Sequence, residues 1–383
     1  MTKSTTKLLG FFVAAIGLMI FSSQASAQGL YTYSCSNPTY GTSGTYNSSY
    51  IYSTACGGTL SEAGTVATSS VIVQAAVART ANLIGNRIAA VTSGTAGTQL
   101  AATGTGFSAS SGINAGNGDM VGVWASASFT SVEEDSASTR FDGDHYTLLA
   151  GADYQIDDQI LIGLSLGYED HDYDTQYNNG SVEGDGFTIA PYAAYTIDQT
   201  FSVSLTAGYS DLEYDTTRAD PGGANVTATG NTDADRYFVE GRINAYWPVD
   251  LWRIRGSLGL LHGNEEKDAY TETLSDGSTN AVASQETEFS QFNLNTEWGY
   301  ELSPGFVPYL KAGIQYDLDK DDIVVGAGQT ASAFNDEDFG GVFGVGARFN
   351  VDNAITAGIE ASTVEFRDDY EEYTIQGNLR VAF

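Results

Sequence analysis

From Asp119 to Phe383, apolar and polar residues alternate with a period of two, in segment after segment. The stretch ILIGLSLGYED puts Ile160, Ile162, Leu164, Leu166 and Tyr168 on one face, with Gly163, Ser165, Gly167 and Glu169 on the other. RYFVEGRINAYW sets Tyr237, Val239, Gly241, Ile243, Ala245 and Trp247 against Arg236, Phe238, Glu240, Arg242, Asn244 and Tyr246. FNLNTEWGY separates Phe292, Leu294, Thr296, Trp298 and Tyr300 from Asn293, Asn295, Glu297 and Gly299. Successive side chains of a strand point to opposite faces, so each segment reads as a strand with one apolar face. About twelve are predicted, near 120–131, 143–156, 160–173, 184–197, 200–214, 234–248, 251–266, 285–301, 305–318, 338–350, 354–366 and 371–383.

The connections sort by length. The tight links DDQ, DQT, PVD, SPG and DN follow the even-numbered segments. Longer acidic links follow the first, fifth, seventh and ninth, as in DTTRADPGGANVTATGNTDAD, while the third is followed by a middling link and the eleventh by a short one. Short turns at one end and longer loops at the other mark an outer-membrane barrel. A soluble β-sandwich also alternates, but its strands are shorter and its connections do not sort this way. In lipid every backbone polar group must be paired, so the strands must close on themselves. The fold predicted for 119–383 is therefore an all-β, antiparallel transmembrane barrel, apolar outside and polar within. The last segment fits: Tyr373, Ile375, Gly377, Leu379, Val381 and Phe383 share one face. Tyr373 and Phe383 stand about 33 Å apart along a strand, or about 23 Å across the membrane at a tilt near 45°, close to the roughly 25 Å apolar band. Aromatic rings suit the two edges of that band.

Ahead of the barrel the period changes. Over 62–93, Val66, Ser70, Val73, Val77, Ala81, Ile84, Ile88 and Val91 step by three or four, which predicts one helix, interrupted or frayed near Gly85. Residues 94–118 show no period and read as a flexible linker. Residues 28–61 are rich in Tyr, Ser, Thr and Gly and hold too few aliphatics for a core. Lys3, Lys7, an apolar run from Leu8 to Phe21 and Ala25-Ser26-Ala27 before Gln28 read as a signal peptide over 1–27, cleaved between Ala27 and Gln28. In an exported chain the pair Cys35 and Cys56 predicts a disulfide.

Composition sharpens this picture. A hydrophobic fraction of 42% and a mean hydropathy of -0.16 would pass for a soluble protein, yet 44 Gly, 23 Tyr and 18 Phe with only 6 Pro suit a barrel. The net charge of -32 argues against nucleic acid and against docking by charge on anionic lipid. The three histidines are His145, His171 and His262. None forms a recognisable catalytic set, so no enzyme activity and no cofactor are expected. His171, in EDHDYD, reads as the solvated edge of an acidic loop. DLDKDD begins like a calcium loop but has Asp322 and Gly328 where Gly and Glu are required. The lumen is expected to carry Glu240, Arg242, Arg255, Glu297, Lys311, Arg348, Glu360 and Arg380. These charges could pair with one another, or Glu240, Glu297 and Glu360 could meet Arg79 and Arg87 if the helix threads the barrel.

The motifs GADYQIDDQILIGLSLGYED (151–170), GDGFTIAPYAAYTIDQTFSVSLTAGYS (184–210) and the terminal LRVAF, together with the order leader, passenger-like segment, helix and barrel, resemble an autotransporter with its C-terminal translocator barrel. The resemblance implies a monomeric barrel in the Gram-negative outer membrane, with surface-exposed loops, that anchors and translocates an N-terminal passenger. It also implies outer-membrane lipid, periplasmic chaperones and a barrel-assembly machinery as partners, the last reading Phe383, Val381, Leu379 and Tyr373 as an insertion signal. The passenger is short for the family. A stand-alone porin-like or structural barrel with a periplasmic N-terminal segment is the alternative.

Overall fold

The computed structural model describes residues 31–32, 45–46, 60–92, 109–112, 121–135, 140–176, 178–219, 226–303, 305–320, 338–350, 355–367 and 369–381. Twelve long strands form the barrel: β1 Val121–Glu134, β2 Phe141–Gln155, β3 Ile160–Thr175, β4 Gly180–Thr196, β5 Phe201–Ala219, β6 Thr227–Val249, β7 Trp252–Lys267, β8 Gln285–Tyr300, β9 Phe306–Lys320, β10 Phe339–Asn350, β11 Ile355–Arg367 and β12 Tyr370–Val381. Each pairs antiparallel with the next, and β12 closes on β1 from Tyr370↔Glu134 to Gly377↔Ala127. These eight pairs close the ring, as a bilayer demands of a spanning sheet, and the Gly122–Ala125 end of β1 pairs instead with Ala109–Gly112. One helix, α1, spans Leu60–Thr92.

Alternation sorts the two faces as the pattern requires. Leu148, Leu164, Leu166, Ile189, Leu205, Val345, Ile359 and Ile375 point outward, while Ser165, Thr188, Thr206, Thr374 and Gln376 are buried within. Aromatic pairs mark both borders of the apolar band. Tyr168 and Phe187 (5.3 Å between centroids) and Tyr209 and Tyr237 (5.1 Å) stand toward the long-loop end. Phe201 and Trp247 (5.8 Å) and Trp252 and Tyr300 (5.1 Å) stand toward the short-turn end.

Several expectations change. The acidic stretch between the fifth and sixth segments is mostly strand, since β5 runs to Ala219 and β6 begins at Thr227. These strands project past the aromatic border, and their outward Asp211, Glu213, Asp215, Asp233 and Asp235 are exposed. His171 is not at a solvated loop edge. β3 continues to Thr175, so alternation turns Asp170, Asp172 and Asp174 outward and buries His171, against His145 at 5.4 Å between ring centroids. The helix is not interrupted at Gly85. That glycine is a close-approach position, where a methyl group would lie 2.5 Å from Arg242 Cζ. Within the linker, Ala109–Gly112 pairs with β1. Within 28–61, Tyr31–Thr32 pairs with Thr45–Tyr46. Cys35, Cys56, Ala27, Gln28 and Phe383, and the side chains of Leu379, Arg380 and Val381, lie outside the described residues. The disulfide therefore has no support in the structure.

Candidate functional site

The helix occupies the barrel lumen. Ile72, Val73, Ala76, Val77, Ala81, Leu83, Ile84 and Ile88 are each at most 1% exposed. A helix that is stable only through tertiary burial needs an apolar seat, and the polar lumen provides one locally. Trp124, Leu149, Leu161, Ala190, Tyr192, Ala194, Phe238, Leu261 and Phe289 turn inward from β1 to β8 and form one cluster with the lower part of the helix. Nearer the long loops, Val132, Phe141, Tyr173, Val182, Leu212, Tyr214 and Ala234 pack with Ile72.

Polar contacts fix the height and rotation of α1 on five strands. Gln74 Nε2 donates to Asp317 Oδ1 on β9 (2.6 Å). Arg79 Nη2 donates to Glu372 Oε1 (2.6 Å) and Thr374 Oγ1 (2.5 Å) on β12. Asn82 Oδ1 accepts from Arg242 Nη2 of β6 (2.8 Å). Arg87 donates through Nε (3.0 Å) and Nη2 (2.8 Å) to Asp153 Oδ2 of β2. Thr92 and Ser202 of β5 share a hydroxyl bond of 2.9 Å. The Arg87 seat is itself braced, because Trp124 Nε1 donates to the Tyr192 hydroxyl at 2.8 Å, which donates on to Asp153 at 3.4 Å.

The arginines of the helix thus meet the wall, but not at the expected acids. Glu240 is held by Arg242 at 2.5 Å, Glu297 by Arg348 in a two-bonded pair, and Glu360 by Lys311 at 3.1 Å. All three acids are buried. Alternation could have found Asp153 and Glu372, which fall on the inward face of β2 and β12. Their pairing depends on how far the helix is inserted, which no strand pattern encodes. Above the apolar band a second charged layer crosses the lumen. Arg236 bonds Glu169, Glu265 (2.8 Å) and the Tyr214 hydroxyl (3.0 Å), with Lys267 over the Tyr214 ring at 4.1 Å.

The family model for the Autotransporter beta-domain matches residues 123–362. The fold is similar to the translocator domain of autotransporter NalP from Neisseria meningitidis, at 15% identity over 70% of this chain and 90% of that chain, with a TM-score of 0.58. It is also similar to the beta domain of the Bordetella autotransporter BrkA, at 17% identity over 69% of this chain and 100% of that chain, with a TM-score of 0.52. No curated protein matches the sequence. The chain belongs to the autotransporter beta-domain family. It is a Gram-negative outer-membrane β-barrel of the translocating kind, and this family of barrels transports rather than catalyses.

Proposed function

We propose that the barrel holds residues 28–59 at the cell surface as its own short passenger, with α1 as both the tether through the pore and its plug, and with the long loops exposed to the medium. The observation that supports this reading is the direction of the helix. Ile72, nearer its start, lies among Phe141, Tyr173 and Tyr214 at the long-loop end. Its last residue, Thr92, is bonded to Ser202 beside the short turn 197–200. A chain leaving the first turn of α1 is therefore directed away from the short-turn side. An epitope inserted near Gly57 tests the reading. It should be removed by protease added to intact cells, and antibody should label it without permeabilisation. Labelling only after permeabilisation would favour the porin-like alternative, with a periplasmic N-terminal segment.

A further inference from the structure

The ring closes unevenly. β12 stays paired with β11 down to Val381, which lies opposite Ile355, yet it leaves β1 after Gly377. Continued along both strands, the register that sets Gly377 on Ala127 would set Leu379 on Ala125, Arg380 on Trp124 and Val381 on Val123. Those positions of β1 are already taken. Ala125 pairs with Ala109, Trp124 with Ser110 and Val123 with Ser111, and the run ends with Gly122 on Gly112. The other edge of β1 belongs to β2 from Val121 to Glu134. The linker strand and the chain end therefore compete for one edge. The linker strand also lies against β12, so it stands in the seam between the first and last strands of the ring.

Strand edges in a bilayer must be paired, and the two segments offer β1 runs of backbone of similar length. Backbone pairing alone therefore hardly separates the two arrangements. Chain closure does. Residues 113–120 join the linker strand to β1, whereas β12 lies at the far end of the sequence. The entropic cost of closure rises with the length of chain between two partners, so the linker strand pairs with β1 first.

The contested stretch also supports the helix. Trp124 is 1% exposed and lies so close over Gly151 of β2 that a methyl group there would come 2.7 Å from its ring. Its Nε1 donates to the Tyr192 hydroxyl, the brace behind Asp153 and Arg87. The linker itself leaves α1 at Thr92, which is bonded to Ser202. Helix and linker strand thus hold the wall as one continuous piece of chain. We propose that Ala109–Gly112 is a latch in the seam: it and the chain end are alternative partners for the short-turn end of β1, and while α1 is seated the latch keeps Leu379–Val381 off that edge. Such a seam lets the linker come away from the wall without opening β1 to lipid, because the chain end takes its place.

Cysteine cross-linking in the folded full-length chain tests the latch, with Cys35→Ser and Cys56→Ser as the background. Ser111→Cys with Val123→Cys reports the latched seam, and Val381→Cys with Val123→Cys reports the exchanged one. Directly opposed residues bring their Cβ atoms to about 4.5–5.5 Å, so mild oxidation should join the first pair in most molecules and the second in few. Ser110→Pro with Ser111→Pro removes backbone donors from the linker strand and should raise the yield of the second pair several-fold, while the heat-modifiable gel shift shows that the barrel has folded. Arg87→Glu, which loosens the helix instead of the linker, should raise the same yield. A second pair joined equally with and without the prolines would overturn the exchange, and so would a folded protein in which the first pair is not joined. A rise with the prolines but none with Arg87→Glu would overturn the dependence on the seated helix. None of these results bears on the passenger reading, which turns on the side of the membrane where residues 28–59 lie.

Discussion

Arg236 is 1% exposed and still carries a charge. Glu169 and Glu265 make this tolerable, and the three groups are held with Tyr214 in one bonded layer. Removing one partner of a buried ion pair strands the remaining charge, and typically costs about 3–5 kcal/mol. Arg236→Met should therefore lower the temperature at which the folded band converts on gels. Glu169→Gln, which keeps a polar partner for Arg236, should lower it less. An unchanged transition in Arg236→Met would mean that water already reaches the layer. The inward face of this layer was legible from alternation, since Arg236 and Glu169 both fall on it. The burial of His171 was not, because the surrounding carboxylates resemble a loop until the strand is seen to continue. The apolar seat of the helix was hidden for a similar reason. Leu149, Leu161, Phe238 and Leu261 sit out of phase, next to Leu148, Ile160, Tyr237 and Leu260. Such doublets blur a period-two pattern, yet here they mark where the lumen turns apolar.

At the scale of the element, α1 is held by a broad apolar contact and a few point attachments. At about 1.5 Å per residue its 33 residues extend about 50 Å, well beyond the roughly 25 Å band. It therefore meets both the apolar cluster of β1 to β8 and the projecting strands. Arg87 and Asp153 are 4% and 6% exposed, so neither charge can be left alone without a large penalty. Arg87→Glu should place two carboxylates together, weaken the seat and raise the conductance of the full-length protein several-fold. Adding Asp153→Arg should return it toward the wild-type value. Failure of the reversed pair to rescue would show that other contacts set the position. The period of three and four announced the helix, and its start and stop were found within a few residues. Its continuity through Gly85 was not legible, because the glycine is explained by Arg242 on β6, which is distant in sequence but close in the fold.

The whole molecule places its charge by depth. Outward carboxylates such as Asp172, Asp174, Asp211, Glu213, Asp215 and Asp235 crowd the projecting strand ends, above the aromatic border. Acids inside the lumen, such as Glu169, Glu240, Glu265 and Glu297, are matched by arginine. Two further lumenal matches come from the helix itself, Arg79 to Glu372 and Arg87 to Asp153. Removing α1 therefore does more than widen the pore. It takes two positive charges out of the lumen and leaves Glu372 and Asp153 facing water, one in each half of the barrel. In a confined, low-dielectric channel such charges act strongly on passing ions. A barrel lacking residues 60–92, once its heat-modifiable gel shift shows that it has folded, should conduct several-fold more than the full-length protein. Its reversal potential under a KCl gradient should also shift toward potassium. Glu372→Gln and Asp153→Asn in the helix-less barrel should undo most of that shift and leave the larger conductance in place. A helix-less pore with the same reversal potential as the full-length protein would mean that the wall charges, rather than the seat of the helix, decide which ions pass.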